Sequence, residues 1–149
     1  LKNNAIINSY STYATCSVKL GGIVKEEKAP LHIAVEKQNI EILKCLLSIN
    51  AININSIQED NLSNIDYFIK NALHIAIDNR NEEIVKLLVS KNINLFTKYR
   101  HYEHVIVKDA PSYNIDVEVN SSLTHAIKYG NMKIVSLISF KLMKTLFKC

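Results

Sequence analysis

Ala29-Pro30-Leu31-His32-Ile33-Ala34 is the stretch that decides the fold of this chain, because the chain repeats it. It returns as Asn71-Ala72-Leu73-His74-Ile75-Ala76 and, more loosely, as Ser121-Ser122-Leu123-Thr124-His125-Ala126. Each copy is followed by a two-residue turn that ends in Asn (Gln38-Asn39, Arg80-Asn81 and Gly130-Asn131). An apolar run with helical spacing comes after each turn. Self-similarity on this scale is typical of repeat proteins, in which each supersecondary unit stacks on the next. The sequence therefore predicts a solenoid, a class of protein that acts by presenting an extended surface.

Each copy is predicted to form a short helix, a turn and a second helix. Pro30 suits a first helical position, where no N–H is needed, while Asn71 and Ser121 suit the N-cap, where a side chain accepts a helical N–H. The second helices carry apolar residues on one predicted buried face: Ile42, Leu43, Leu46 and Leu47, and likewise Ile84, Val85, Leu88 and Val89. Cys45 lies within the first of these runs and is predicted to be a small core residue. Asn50 and Asn92 are predicted to end the second helices in a left-handed conformation, which Asn tolerates.

These motifs resemble the ankyrin repeat. The family pattern is Thr-Pro-Leu-His-x-Ala, a Gly-Asn or Gly-His turn, Ile-Val-x-x-Leu-Leu and an exit into a hairpin finger, and the resemblance covers most of residues 29–55, 71–95 and 121–139. The turn Gly is kept only at Gly130, and the third motif has its His one place late, at His125. The resemblance implies an all-α, ankyrin-type helical repeat solenoid with β-hairpin fingers. It also implies that His32 and His74 tie neighbouring repeats together through backbone hydrogen bonds.

The fingers are predicted to be unusually long. Leu31 and Leu73 are 42 residues apart and Leu73 and Leu123 are 50 apart, against about 33 for the family. The surplus falls where the finger projects. Apolar Ile115, Val117 and Val119 alternate with polar residues. With the apolar stretch 105–107 opposite them and turn residues at 109–112, they predict an extended β-hairpin. A second hairpin is predicted around Gly21-Gly22.

Four segments follow from this pattern. Residues 1–28 are interpreted as the end of a preceding repeat with its hairpin finger, and 29–70 as a repeat with an extended finger. Residues 71–120 form a repeat with a long hairpin insert, and 121–149 form an incomplete or terminal repeat. Our hypothesis is that the chain is a segment of a longer array.

Composition excludes several classes of function. Nearly half of the residues are apolar (48%) and about a fifth are charged (21%), which favours an ordered protein. No apolar run approaches the ~20 residues of a membrane span, so a membrane role is not expected. Three cysteines without ligand-like spacing predict reduced thiols and a cytoplasmic, or alternatively nuclear, location.

The sequence predicts no enzyme active site, cofactor or metal site. His32 and His74 have no nucleophile at matching positions. His101 and His104 would share a helical face, but a third ligand is missing nearby. With Arg80 and Arg100 as the only arginines, nucleic-acid binding is not expected either. The basic stretch 139–148 is amphipathic and is interpreted as a last helix; the alternative is a contact with a membrane surface or an acidic partner.

The predicted function is a non-catalytic protein–protein interaction module, present as a monomer. The resemblance implies that a partner binds the concave face and the fingers, at these positions: Glu36, Lys37, Gln38, Asp78, Asn79, Arg80, Lys128 and Tyr129 on the first helices, and Tyr99, Arg100, His101, Tyr102 and Tyr113 on the finger. Tyr and Arg are favoured at interface hot spots. Two alternatives stay open: a structural spacer in a longer array, and a regulatory region of an enzyme whose catalytic domain lies outside this chain.

Overall fold

Three helix pairs follow one another along the chain. The structure, a computed structural model, describes residues 7–17, 22–61, 66–105, 107–111 and 113–147. The first helices of the pairs are α1 (Pro30–Glu36), α3 (Ala72–Asp78) and α5 (Ser122–Tyr129), and the second helices are α2 (Ile40–Ser48), α4 (Glu82–Ser90) and α6 (Met132–Leu146). The first helices pack in the order α1, α3, α5, and α4 packs against α6. The predicted stacking of repeats is therefore confirmed.

Capping explains where the helices begin. Pro30 occupies the first position of α1, and the side chains of Asn71 and Ser121 accept the N–H groups of His74 (3.1 Å) and Thr124 (3.2 Å), as the sequence predicts. Each second helix also has an Asn at its N-cap. The side chains of Asn39, Asn81 and Asn131 accept the N–H of the residue three places on, at 3.0–3.1 Å. Each cap satisfies a donor that the helix itself leaves without a partner.

A single core runs through the stack. Leu73, Ala76 and Ile77 of α3 are fully buried in its middle, with Ile84 and Leu88 of α4 beside them. Because each helix pair contributes one apolar face to the next pair, the repeats stabilise one another rather than folding as independent units.

The prediction of an all-α protein is wrong in one respect, because the fingers join into an antiparallel β-sheet. Its strands are β1 (Ser11–Ser17), β2 (Gly22–Lys28), β3 (Ile57–Asn61), β4 (Asp66–Asn71), β5 (Tyr99–Val105) and β6 (Tyr113–Asn120), in sequential order. Three pairings lie within hairpins, and two join one hairpin to the next: β2 with β3, and β4 with β5. Strands of five to eight residues are long enough for neighbouring fingers to form backbone hydrogen bonds side by side.

Both predicted hairpins are present, with a different register in the second. Val105 pairs with Tyr113, and Ile115 pairs with Glu103 rather than with an apolar residue. The pairing shifts between His101 and Tyr102, where Val117 of β6 has no partner in β5. This β-bulge turns the strand locally. The turn of the first hairpin lies outside the described residues.

The left-handed positions differ in part from the predicted ones. Asn92 has φ 61°, as predicted, but Asn50 does not have a positive φ, and α2 ends instead in the extended Ile49 (φ −88°, ψ 117°). The turns after α1 and α3 place Gln38 (φ 53°) and Arg80 (φ 52°) in the left-handed region that favours glycine, whereas Gly130 is extended (φ −81°, ψ −156°). The only turn that keeps its glycine therefore does not need it for a positive φ. A Cβ there would instead lie 2.6 Å from the carbonyl oxygen of Ala126.

Two predictions of burial in α2 are wrong. Ile42 is 52% exposed and Cys45 is exposed as a free thiol, although Leu43 and Leu47 are buried. Both exposed residues lie on the side of α2 that no described helix covers. The equivalent Ile84 lies in the middle repeat, which has described neighbours on both sides, and it is fully buried.

None of the helices in the described ranges combines the length and the apolar character that crossing a membrane requires.

Candidate functional site

The ends of the first helices and the adjoining face of the sheet form the surface on which the sequence places a partner. We call the sheet face that contacts the first helices the inner face. Gln58 of β3 bonds to Glu36 of α1 (3.0 Å), and Tyr129 of α5 donates its hydroxyl to Glu118 of β6 (2.9 Å). The helices and the sheet are therefore fixed to each other at both described ends of the stack.

In the first repeat, the predicted positions Glu36 and Lys37 differ in their side-chain contacts. The Glu36 carboxylate accepts from Lys28 at 3.0 Å as well as from Gln58. Gln58 is fully buried and also donates to Asp60 at 2.8 Å. Lys37, at the end of α1, is exposed, and its side chain has no hydrogen bond or ion pair within the described ranges. Glu36 is thus part of a structural network, while Lys37 is accessible to a partner.

The predicted positions of the second repeat link the repeats together. Asn79 donates to the carbonyl oxygen of Val35 in the repeat before (3.3 Å), and Arg80 Nε donates to the carbonyl oxygen of Tyr129 in the repeat after (3.1 Å). Asp78 meets His125 Nε2 at 2.7 Å. A further link, from Asn81 to the side chain of Gln38 (3.1 Å), joins the first two turns. Asp78, Asn79 and Arg80 are exposed, yet each also holds a neighbouring repeat in register.

In the third repeat, Lys128 and Tyr129 converge on one carboxylate. Lys128 Nζ lies 2.9 Å from Glu118, and the Tyr129 hydroxyl donates to the same group. Partial burial alone would raise the pKa of Glu118, but the hydrogen bonds from Lys128 and Tyr129 lower it below its usual range. Asn120 donates to Glu118 as well. The carboxylate therefore stays ionised and anchors β6 to α5.

The predicted finger residues divide between the two faces of the sheet. Tyr99 is 8% exposed and packs against the rings of His74 and His125. His101 stacks on Phe68, with ring centroids 4.3 Å apart, on the same inner face. Burial, with the nearby Asp78 and Glu118, raises the pKa of the Tyr99 hydroxyl, so it stays neutral. Tyr99 is therefore a core residue rather than a contact residue.

The remaining finger residues lie elsewhere. Arg100 donates to the Tyr102 hydroxyl (2.8 Å) on the opposite face of β5. Tyr113, at the start of β6, is exposed. His101 thus lies on the inner face of the sheet, while Arg100 and Tyr102 lie on the opposite face.

The histidines act in two different ways. His32 Nδ1 accepts the N–H of Ala29 (3.2 Å), and its Nε2 lies 3.0 Å from the carbonyl oxygen of Ser56, to which it donates. His74 Nδ1 accepts the N–H of Asn71 (3.3 Å), and its Nε2 has no hydrogen-bond partner among the described residues. The bond from His32 to Ser56 leaves the helix pair but stays within segment 29–70, so the predicted backbone tie between neighbouring repeats is not confirmed for either histidine.

The displaced histidine of the third motif has a different partner. Thr124 stands where His is expected and makes a different local contact: its hydroxyl donates to the carbonyl oxygen of Ser121 (3.0 Å), whereas His32 and His74 each accept a backbone N–H. His125 turns towards the preceding repeat, where it reaches Asp78 and meets the His74 ring edge-on, 5.2 Å between centroids. The histidine of the third motif, displaced by one residue, therefore bonds to a side chain of the preceding repeat, whereas His32 bonds to a backbone carbonyl.

Acidification is expected to destabilise the protein through the buried histidines. Burial, then the neighbouring His125 and Lys70, lowers the pKa of His74 to about 3, and burial lowers the pKa of His32 as well. The unfolded chain takes up these protons near pH 6.5 and the folded chain does not, so stability falls as the pH drops below about 6.5. At ~1.4 kcal/mol per pH unit, His74 contributes at most about 2 kcal/mol of loss by pH 5. Urea unfolding at pH 7 and pH 5 measures this loss.

His74→Gln provides the control for this measurement. The variant is expected to lose less stability between pH 7 and pH 5 than the natural sequence, because glutamine does not titrate. Equal losses in the two proteins would show that the His74 ring does not resist protonation in the fold.

The described residues contain no group of three or more His, Cys, Asp or Glu side chains able to hold a metal ion. The arrangement considered for His101 and His104 also rests on a wrong element, since both residues lie in β5 rather than on a helix. A strand does not supply the shared helical face on which this prediction relied.

Sequence reasoning missed the residues that build the frame of this surface. Glu118 was hidden because its partners lie on the following helix, ten and eleven residues away. Gln58 and Asp60 are buried polar residues on a strand, and no local pattern marks them. The N-cap role of Asn81 could have been found, because an Asn directly before an apolar helical run is typical of a cap.

Comparison with known proteins agrees with this architecture. A family model described as ankyrin repeats, in three copies, matches residues 4–99. No curated protein and no solved structure matches the chain. Beyond the matched range, α5 and α6 pack on α3 and α4 as a further helix pair of the same kind. The matched range covers well over half of the sequence and includes the first two helix pairs of the structure, so the chain belongs to the ankyrin repeat family.

Proposed function

We propose that the protein is a non-catalytic interaction module that binds another protein with its concave surface, formed by the ends of the first helices and the inner face of the sheet. Ankyrin repeats are generally protein–protein interaction modules and are typically not catalytic. The observation that carries the proposal is the set of links between repeats along this surface. These links are Asn79 to Val35, Asn81 to Gln38, Asp78 to His125 and Arg80 to Tyr129. A surface that is already fixed loses little conformational entropy when a partner binds.

Charge reversal at Lys37 tests the proposal without disturbing the frame. Lys37 lies at the end of α1, and Lys86 is an exposed lysine of α4 outside the proposed surface. Lys37→Glu and Lys86→Glu change the net charge equally. Each protein is immobilised and exposed to an extract of the cells that express it, and the retained proteins are quantified by mass spectrometry.

We expect at least one protein to be retained by the natural sequence and by Lys86→Glu, and to be retained about tenfold less by Lys37→Glu. Equal retention by the two variants would contradict binding at the concave surface and would favour a spacer role.

We also propose that the protein resides in a reducing compartment, the cytoplasm or the nucleus. The exposed free thiol of Cys45 supports this location.

A further inference from the structure

The second helices have one face that the stacking of repeats leaves uncovered. In the middle repeat, which has described neighbours on both sides, Glu83, Lys86 and Ser90 of α4 remain exposed. These residues are three and four places apart, so they lie on one face of the helix. We call it the outer face of a second helix. The equivalent residues of α2 have the same types and are also exposed: Glu41, Lys44 and Ser48.

The outer face of α6 is apolar where that of α4 is polar. When the repeats are aligned on their motifs, Phe140 of α6 stands in place of Ser90 of α4. α4 ends there, whereas α6 continues, and Met143 and Phe147, three and seven places after Phe140, extend the same face. The three apolar side chains are 57–74% exposed. Because neighbouring repeats leave the outer face of α4 uncovered, a further repeat in the stack would not bury them.

The positive charge of α6 lies at the same end of the helix. α6 contains three lysines and neither Asp nor Glu. Lys133, in its first turn, is 3.4 Å from Glu82. Lys144, near the other end, has its ammonium over the Phe140 ring, 4.5 Å from the centroid. The charge at the beginning of α6 is therefore balanced by a carboxylate, and the charge near its end lies against an aromatic ring.

A second segment adds to this surface. Lys141 donates to the side chain of Asn92 (2.8 Å), in the segment that follows α4. A cavity of about 320 Å³ lies between that segment and α6, and Lys141, Lys144 and Phe96 line it. Phe96 is 59% exposed. The two lysines therefore have exposed aromatic side chains on both sides.

An anionic lipid surface fits this end of α6 better than a second copy of the chain would. Two copies packed through the outer face of α6 would bring lysines together without a carboxylate on either helix. The apolar side chains stand out from the helix, and a bilayer accepts protruding side chains without matching their shape. Phenylalanine next to lysine is typical of helices that lie in a membrane interface, and the cytoplasmic leaflet supplies negative charge.

We propose that the end of α6 binds the surface of an anionic lipid bilayer. Phe140, Met143 and Phe147 enter the interface between headgroups and acyl chains, while Lys141 and Lys144 contact the lipid phosphates and carboxylates. The helix lies on the bilayer and does not cross it. The proposal goes beyond the concave surface and does not depend on it.

Flotation with lipid vesicles tests the proposal. The protein is mixed with vesicles of phosphatidylcholine and phosphatidylserine, or of phosphatidylcholine alone, and we expect binding to the first kind at least about tenfold stronger. The variant Phe140→Ser/Phe147→Ser places at position 140 the residue type that α2 and α4 have there, and it should bind about tenfold or more weakly. Ile115→Ser/Ile127→Ser is the matched control, since both isoleucines are exposed elsewhere, and it should bind within about twofold of the natural sequence.

Single lysine variants test the contribution of charge. Lys144→Gln is expected to weaken binding to the anionic vesicles about fivefold, because one lysine near such a surface contributes about 1 kcal/mol. Lys108→Gln makes the same change of charge at an exposed residue between β5 and β6, and it should have a smaller effect. Equal effects would show that only the net charge of the protein matters, which would overturn the proposal.

Tryptophan fluorescence locates the surface that enters the membrane. The sequence contains no tryptophan, so Phe147→Trp introduces a single probe on the outer face of α6 and Ile127→Trp a single probe on α5. With anionic vesicles we expect the emission of Phe147→Trp to shift to shorter wavelength and to be quenched by lipids brominated on the acyl chains. The emission of Ile127→Trp should stay unchanged.

Three results would overturn the proposal. The first is the absence of binding to the anionic vesicles, which would favour an acidic protein as the occupant. The second is an equal loss of binding in the two double serine variants. The third is a concentration-dependent dimer that Phe140→Ser/Phe147→Ser abolishes, because the face would then bind a second copy. Circular dichroism of each variant should show unchanged helix content, since all the substituted side chains are exposed.

Discussion

Leu73→Ala is expected to lower the free energy of unfolding by about 2–5 kcal/mol. Leu73 lies in α3, the first helix of the middle repeat, and is fully buried. Because α3 packs against both α1 and α5, the cavity would open in a region that two neighbouring repeats share. Collapse around the cavity is limited there, since the helices are held in register by the links from Asn79 and Arg80.

Urea unfolding followed by helical circular dichroism measures this loss. Leu146→Ala is the matched control, since Leu146 is 68% exposed near the end of α6, and its effect should stay within about 0.5 kcal/mol. A loss below about 1 kcal/mol for Leu73→Ala would contradict the central position of α3 in the stack.

His32→Leu is expected to cost about 2–5 kcal/mol, and more than His74→Leu. Leucine keeps most of the buried volume but leaves the N–H of Ala29 and the carbonyl oxygen of Ser56 without a partner. Each buried polar group left unpaired costs about 1–3 kcal/mol. His74 makes one such bond, to the N–H of Asn71, so its replacement should cost less by about 1–3 kcal/mol.

The comparison between the two histidines is made by urea unfolding at pH 7, where both rings are neutral. Hydrogen exchange at the amides near Ser56 provides a second readout, because these should exchange faster in His32→Leu and not in His74→Leu. Equal losses of stability, or a larger loss in His74→Leu, would contradict the role assigned to the bond with Ser56.

The helices of this protein follow from local sequence. The apolar spacing at Ile84, Val85, Leu88 and Val89 predicts the buried face of α4, and all four residues are buried. The same spacing fails at Ile42, because burial depends on whether another helix covers that side. The spacing of apolar residues identifies the apolar face of a helix, but it does not identify the element that packs against that face.

The continuous sheet was not predictable in the same way. Alternating residues identify each hairpin, but the pairing of β4 with β5 joins residues more than thirty places apart. That pairing depends on how close the helix stack brings neighbouring fingers. Tyr99 shows the consequence for the site: its residue type favours an interface, yet the stack buries it against His74 and His125.

The sequence predicts partner-binding positions at the ends of the first helices. The ends of the first helices do lie together, but Asp78, Asn79 and Arg80 also hold the repeats in register. A substitution at these residues would therefore change the frame as well as any contact. At Lys37 a substitution can change a contact with a partner without changing the frame, because the Lys37 side chain makes no hydrogen bond or ion pair in the described ranges.

Site-specific photocrosslinking tests the central claim, that a partner binds the concave surface, most directly. A photoreactive phenylalanine derivative replaces Lys37 in one protein and Lys86 in another, and each is irradiated in the cells that express the protein. The account predicts a covalent adduct of defined mass from position 37 and none of that mass from position 86. The same adduct from both positions, or one from position 86 alone, would contradict it.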